Sequence, residues 1–513
     1  MLREQLARPG SFVVAAELVT SRGLLGVDGG RGVLELAREL AADPRIDVLS
    51  ITDNPGGHAM VAPDTIGTEA VARGQEVIIH LACKDSNRNA LESRGWQLAS
   101  AGFDNVLALS GDYPVTGHEG LAAPVFDIDS VGLLSLYAAM NEGLPDAHRQ
   151  GERLAATDFF LGCVVTNHKK HEREVMPQYF KLAKKARVGA RFVIKQIGYN
   201  VQKDDELLRW IRHAGLPLHA LANVYHLTRT AARAFNRGRI PGVVVSDELL
   251  ARVERYAAGP DKGSAFFLEL AAKHVAVARG LGYDGVYLGG HMSAERFGEI
   301  LDLAASYTAD EWRSFARDIH FPVPDEFSLF VPDEKTGLSS DEVNPAYLES
   351  KDRRETELRV PLAYRFSRRM HQAVFDPEAP LFPAGTALYG AVDKGPRTLK
   401  RTLHLVEQAA KVPLFHCRDC GDCSLPDIAY VCPESICAKN QRNGPCGGTR
   451  DGLCEVYDSE CIWSQAYERL KAYGEEEGML DGPVVVKDGA LQGTSAWANA
   501  FLGRDHNARA RRE

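Results

Sequence analysis

Between residues 12 and 305 the chain alternates short apolar runs with longer amphipathic ones. FVVAAEL, DVLSIT, EVIIHLA, NVLALS, DFFLGCVV, RFVIKQI, PLHALANV and GVYLG are apolar on successive residues. A half-solvated strand would alternate, so this pattern predicts strands of a parallel sheet covered on both faces. Helix-period stretches such as GVLELARELAAD, ALESRGWQLASAG and VMPQYFKLAKKARVG separate most of them. Eight strands with intervening helices over about 250 residues is the arithmetic of an α/β (β/α)8 TIM barrel. A doubly wound open sheet is the alternative. The polar, turn-rich segment 331–360 reads as a linker, 361–412 as a mixed connecting region, and the tail RDHNARARRE as disordered or peripheral. The predicted division is a barrel over 1–330, a linker and connecting region over 331–410, and a small cysteine-rich metal-binding domain over 411–513.

Polar residues gather where the predicted strands end. Glu17 sits inside the first, and Thr52, Asp53 and Asn54 close the second. His80 lies in the third, ahead of Cys83 and Asp85. Asp112 follows the fourth, Thr166 and His168 the fifth, Lys195 and Gln196 the sixth, Asn223 the seventh and His291 the eighth. All eight carboxyl ends of a barrel face one mouth, so these side chains should converge. Loop polarity alone accounts for most of them singly. It does not account for Glu17, whose neighbours VVAA and LV are apolar; a buried carboxylate is costly without a partner or a task.

Composition adds exclusions. The chain is 45% hydrophobic and 25% charged with a net charge of −9, a poor balance for wrapping a nucleic-acid backbone. The start MLREQLARPGSF lacks the apolar segment of a secretion signal. No apolar run approaches the roughly 20 residues that span a bilayer. These features predict a cytoplasmic protein, where clustered thiols mean metal or redox chemistry before disulfides.

Eight of the ten cysteines fall between Cys417 and Cys461, spaced C-x2-C-x2-C-x8-C-x4-C-x8-C-x7-C-x6-C. Eight thiolates make two four-ligand sites. Cys417, Cys420 and Cys423 form the tight triplet that seeds a [4Fe–4S] cluster, with Cys432-Pro433 as the distant fourth ligand. Cys437, Cys446, Cys454 and Cys461 are left for a second centre. Structural zinc (Zn2+) is the rival, although its knuckles come as separated C-x2-C pairs and this stretch has no second pair.

The run EVIIHLACKDSNRNALESRGWQLASAGFDNVLALSGDYP, with His80-Leu-Ala-Cys83 and Leu109-Ser-Gly-Asp112-Tyr-Pro114, resembles the central signature of methylenetetrahydrofolate reductases. FVVAAELVTSRG resembles that family's first strand and puts Glu17 on its catalytic acid. DVLSITD resembles the family's strand that brings a threonine, here Thr52, to the flavin, and KKARVGARFVIKQ resembles the segment that ends in a substrate-binding glutamine, here Gln196, with Lys185 in the preceding helix. NGPCGGTRDGLCE…CIW resembles the cysteine domain found fused to, or accompanying, this reductase. The chain departs from the family at Val19-Thr20 in place of Pro-Pro, at Ser110 in place of Arg, and at IPGVVVSDE with Ser246, where family members carry a nicotinamide site.

The resemblance implies FAD in the barrel mouth and flavin-dependent reduction of 5,10-methylenetetrahydrofolate to 5-methyltetrahydrofolate, a step of one-carbon metabolism and methionine biosynthesis. Glu17 would be the general acid and Asp112 the partner of the pterin and of the developing cation. Gln196 would orient the pterin. Thr52, His80, Leu109, Gly111, Thr166, His168 and Lys185 are the flavin-contact candidates, with Lys185 and His168 facing the diphosphate. The cysteine domain would pass electrons from ferredoxin or a partner subunit to FAD in place of NAD(P)H, or act as a zinc-stapled cover or oligomer contact. The competing functions are a pterin- or corrinoid-type methyltransferase barrel and a non-catalytic electron-transfer companion subunit.

Overall fold

The computed structural model describes residues 1–146, 148–352 and 360–511. Strands β1 (Val13–Leu18), β2 (Val48–Ile51), β3 (Glu76–Ala82), β4 (Asn105–Leu109), β5 (Phe160–Val165), β6 (Phe192–Lys195), β7 (His219–Tyr225) and β8 (Gly285–Gly289) run parallel and in sequence order. β1 pairs with β2 through Ala15↔Val48 and with β8 through Val13↔Gly285, which closes the barrel and excludes the open sheet.

Alternation of small and large side chains fills the interior. Val13, Ala15, Val48, Ile78, Leu107, Phe160, Phe192, Leu221 and Tyr287 pack together inside the ring, with Leu2 and Leu6 of the N-terminal helix Leu2–Ala7 joining the same core. The outward-facing strand residues pack against the helices and form the larger core. Helix starts are set by side-chain caps. Asn87 accepts Ala90 N–H at 3.0 Å to begin Arg88–Ser100, and Asp129 accepts Val131 and Gly132 N–H to begin Ser130–Asn141. Among the described residues no helix is long and apolar enough to cross a membrane.

The region expected as a linker is largely built. β9 (Phe330–Asp333) and β10 (Leu338–Val343) form an antiparallel pair, and Ser339 N–H donates to Asp205 at 2.9 Å. Helices Leu362–Met370, Phe382–Lys394 and Arg397–Phe415 follow. Residues 353–359 of the expected linker lie outside the described residues. Polar turn residues marked the hairpin's bend, and the local pattern gave no sign of the barrel helix it packs on.

The tail also differs from expectation. Asp505 caps the helix His506–Ala510, and His506 is buried between Asp422 Oδ1 at 2.6 Å and Asp427 Oδ2 at 3.0 Å. Burial alone would lower the pKa of His506, but the two carboxylates push it up to about 10. The polar tail thus supplies the counter-charge for acids in the cysteine region.

The cysteine region sits on the barrel, against the helix Glu172–Arg187. Buried Lys181 donates to Gln441 Oε1 and to the carbonyls of Gly444 and Pro445 at 2.9–3.0 Å. Asp129, having capped its own helix, also accepts the Asn443 backbone and side-chain N–H groups. These are buried charge-assisted bonds, and removal of one partner leaves the other desolvated.

Candidate active site

A cavity of about 1530 Å³ opens at the mouth of the barrel. It is larger than the roughly 300–1,000 Å³ usual for a small-molecule site. Glu17, Asp112 and His168 all line it, so the ends of β1, β4 and β5 do converge.

Glu17 is the most constrained of the three. Its Oε1 accepts the Tyr287 hydroxyl at 2.8 Å and its Oε2 accepts Gly290 N–H at 3.2 Å. Burial raises its pKa above the ordinary carboxylate range; the two bonds oppose that rise without cancelling it. Gly289 makes room for the group, since a Cβ there would stand 2.5 Å from Glu17 Oε2. Tyr287 also hydrogen-bonds Ser50, and Ser50 Oγ lies 2.9 Å from His80 Nε2. Burial lowers the His80 pKa to about 3, so its ring is neutral. A buried chain of hydrogen bonds therefore runs from His80 through Ser50 and Tyr287 to Glu17. Neither Ser50 nor Tyr287 is distinguishable in sequence from any other polar atom on an apolar strand; only the register of β1 between β2 and β8 brings them to the carboxylate.

Asp112 is more open. Its Oδ2 accepts Gly56 N–H at 2.7 Å. The preceding Gly111 has φ +87° and its carbonyl accepts Lys439 Nζ at 2.8 Å, which fixes the strand end against the cysteine region.

His168 lines the cavity, and its buried imidazole has Nε2 3.0 Å from Asp204 Oδ1. Burial lowers its pKa to about 4 against the pull of Asp204. Asp204 also meets Lys195 at 2.8 Å and His274 at 3.0 Å. Burial would raise the Asp204 pKa, but these neighbours hold it well below the usual carboxylate range.

His291, after β8, joins the lining, but most other predicted site residues do not form the cavity wall. Thr52 and His80 are buried beneath it, and Leu109, Gly111 and Thr166 are absent from the lining as well. Thr166 instead packs on Gly447, where a Cβ would approach its Oγ1 to 2.6 Å. Gln196 turns its Oε1 back to Ile197 N–H at 2.9 Å. Lys185 does not face the mouth: its ammonium donates to the Val164 carbonyl at 2.6 Å, and burial lowers its pKa to about 8. The helical period places Lys185 on the strand-facing side of its helix. Ser246, read as a departure in a nicotinamide site, caps the helix Asp247–Ala257 through Leu249 N–H.

The cysteine region supplies the opposite wall, with Gly448, Arg450, Cys454 and Glu455 among its lining residues. The cavity's cations include Lys170, Arg239 and Arg450, and Thr20 contributes a buried hydroxyl with no hydrogen-bond partner. Sequence reading missed this wall because its members lie some 300 residues from the strands they face.

All ten cysteines are free thiols. Cys417, Cys420, Cys423 and Cys432 line one cavity of about 20 Å³. Cys437, Cys446, Cys454 and Cys461 form a second neighbourhood: Cys437 feels Cys454, and Cys446 and Cys461 both feel Cys437. Burial is the main cause that raises the Cys420 pKa to about 11 and the Cys446 pKa to about 12. Backbone N–H groups point at sulfur in both groups, Asp419 to Cys417 at 3.4 Å, Gln441 to Cys437 at 3.5 Å and Val456 to Cys454 at 3.4 Å. Among the described residues no three His, Cys, Asp or Glu side chains are drawn together as tightly as the ligands of a metal ion. Cys83 and Cys163 are buried in the barrel core, where desolvation raises both pKa values.

Residues 4–279 match the family model described as methylenetetrahydrofolate reductase, and residues 397–488 match the one described as methylene-tetrahydrofolate reductase C terminal. No curated protein matches the chain. Among solved structures, an uncharacterized protein from Clostridium thermocellum that binds two copies of 5-methyl-5,6,7,8-tetrahydrofolic acid is similar at 12% identity and TM-score 0.43, over 59% of this chain and 97% of that one. EDTA monooxygenase from Chelativorans sp. BNC1 matches at 11% identity and TM-score 0.35, over 61% of this chain and 99% of its own. A 2,3-dimethylmalate lyase of the PEP mutase/isocitrate lyase superfamily matches at 12% identity and TM-score 0.32, over 56% and 77%.

Proposed function

The chain belongs to the methylenetetrahydrofolate reductase family, and on that premise we propose that it reduces 5,10-methylenetetrahydrofolate to 5-methyltetrahydrofolate with FAD held in the barrel mouth. The observation that carries this reading is the shared cavity of Glu17 and Asp112, with Glu17 gripped between Tyr287 and Gly290.

The mouth suits the cofactor and substrate in size, and the partnerless Thr20 hydroxyl and the cations Lys170, Arg239 and Arg450 suit a polar, diphosphate-bearing ligand. His168 would meet the same ligand. FAD, when bound, supplies the hydride.

The chain's own residues handle the proton and the charge. The folate's methylene bridge accepts hydride only after one carbon–nitrogen bond opens, and opening needs a proton on the departing nitrogen. Glu17 supplies it, because burial keeps its carboxyl protonated to higher pH. Oε1 is occupied by the Tyr287 hydroxyl, so Oε2, held only by the longer Gly290 contact, carries that proton. Once it has left, Tyr287 and Gly290 stabilise the carboxylate that remains. Asp112 has Oδ2 committed to Gly56, which leaves Oδ1 to accept from the pterin edge and to favour the cationic iminium.

The two four-thiol groups suit [4Fe–4S] centres by donor type and spacing, with zinc as the alternative. Iron–sulfur centres would supply single electrons close to the mouth, where Cys454 lines the wall. Iron and labile-sulfide analysis of anaerobically purified protein separates the two: zinc without iron removes the electron-entry role. Glu17→Gln tests the reductase itself. Folate reduction should fall about 10²–10⁴-fold, the worth of a general acid, with the flavin spectrum unchanged. Full activity in that variant overturns the assignment.

A further inference from the structure

A second cavity, of about 680 Å³, lies away from the barrel mouth. It is enclosed by the helices Leu362–Met370 and Arg397–Phe415, the cysteine region and the C-terminal end of the barrel helix Glu172–Arg187. Its volume is that of a site for a ligand of a few tens of heavy atoms. The walls are strongly apolar: Phe366, Met370, Phe375, Leu414 and Trp497 face it. Phe366 and Leu414 leave 59% and 48% of their surface in solvent. That is a large cost for side chains with no task, because each exposed apolar ring forgoes the free energy of burial.

One charged group in this wall has no counterpart. Lys184 is 9% exposed, and among the described residues no carboxylate, carbonyl or hydroxyl bonds its ammonium. Its Nζ lies beside Gly482, which shares the wall, at 3.7 Å from the position a Cβ would take there. Apart from Arg511, which is exposed at the rim, the other charges of the lining are committed. Asp427 accepts from His506, Glu475 pairs with Arg368, and Asp505 caps the tail helix through Ala508 N–H. Lys411 pairs with Glu407 at 3.0 Å, and Arg442 pairs with Glu434. Burial lowers the pKa of Lys184 to about 8, the mark of an ammonium with too little solvent and no anion close enough to compensate.

We infer that this cavity binds an amphipathic organic anion, an aromatic or aliphatic body ending in a carboxylate, with the carboxylate on Lys184 and the body against Phe366, Met370, Phe375 and Trp497. An apolar pocket with a single unpaired buried cation selects for this chemistry: the body replaces water on the aromatic walls and the carboxylate gives the ammonium the partner it lacks. Nothing in this assignment depends on the reaction at the barrel mouth.

The test uses the full-length, cofactor-loaded protein in equilibrium dialysis against 1-naphthaleneacetate and its uncharged amide. The acetate should bind at least about tenfold more tightly than the amide, the scale of one charge-assisted hydrogen bond. Lys184→Met should erase that preference while the amide still binds. Ala410→Trp, which adds bulk from an exposed position on the wall, should block both probes and so serves if Lys184→Met does not fold. Equal affinity for the two probes, an unchanged acetate preference in Lys184→Met, or undiminished binding of both in Ala410→Trp would each overturn the assignment.

Discussion

On the barrel side of the mouth cavity, Glu17 reaches its position with both carboxylate oxygens bonded, a glycine clearing space behind it and a hydrogen-bonded chain extending to His80. On the opposite side, Cys454 belongs to a group of four thiols whose polar contacts are mostly backbone N–H groups 3.4–3.5 Å from sulfur. The barrel wall is held by strand register and by packing, which exist before any ligand arrives. The thiol wall is built on short loops, beside apolar residues such as Ile462 and Trp463 that join the barrel's outer core. Pre-organised strand ends suit acid–base and charge-stabilising work, which loses rate when a group moves by an ångström. Thiol groups on short loops suit a bound inorganic centre that supplies the rigidity the chain lacks.

The largest effect that would sharpen this contrast comes from the thiol side. On the proposed reading that the second thiol group holds a metal centre, Cys454→Ser should release that centre and loosen the mouth wall. A thiolate-bound structural metal is worth on the order of 10–16 kcal/mol to a small domain at neutral pH, so residues 437–461 should become protease-sensitive while the barrel keeps its far-ultraviolet dichroism. Metal analysis of the same protein should show one centre lost and the Cys417 group retained. Loss of both centres together would mean that the two thiol groups are one folding unit.

Next in size is Gly289→Ala. A methyl there meets Glu17 Oε2 at 2.5 Å, so the carboxylate must shift from its place between Tyr287 and Gly290. Folate reduction should fall about 10²-fold, the usual cost of a misplaced catalytic group, with little change in flavin content. Wild-type activity would show that the grip on Glu17 is structural only.

Tyr287→Phe asks less, since one bond is lost and the ring stays. The rate should drop about tenfold, in line with a hydrogen bond to a charged group. The direction of the pH response discriminates further. Tyr287 lowers the Glu17 pKa, so its removal lets that pKa rise, and the alkaline limb of the rate profile should move to higher pH. A limb that stays put would assign it to another group.

The reach of sequence reading follows the same divide. Eight successive-apolar runs with helices between them specify a closed parallel barrel, because strand period and strand number are local properties. Glu17 stands out in the sequence as a charge among valines and alanines, and the cysteine spacing offers two sets of four. What stayed hidden depends on distance along the chain. Tyr287 stands 270 residues from Glu17 and Lys439 stands 328 from Gly111, and neither carries a local mark of its partner. Lys185, a cation at the family's place in its motif, turns its ammonium to the Val164 carbonyl, a contact that no local pattern marks. His506 looked like part of a solvated tail because its value lies in two acids some 80 residues upstream.

The smallest expected effect concerns the stability of the barrel wall. His80 is neutral because burial depresses its pKa from 6.5 to about 3. A histidine depressed in the folded state binds its proton more readily in the unfolded chain. Its contribution to stability is therefore complete above pH 6.5 and is lost progressively as the pH falls toward 3, at no more than about 1.4 kcal/mol per pH unit. Replacement by a residue that cannot titrate, His80→Gln, keeps a hydrogen-bonding atom near Ser50 and removes the proton-binding step. Denaturant midpoints measured between pH 7 and pH 4 should decline less steeply in this variant than in the wild type, even if its stability at pH 7 is lower. Equal slopes would place the acid sensitivity elsewhere, with His168 at about 4 the next group to test, and would show that the chain behind Glu17 stays intact when the mouth is acidified.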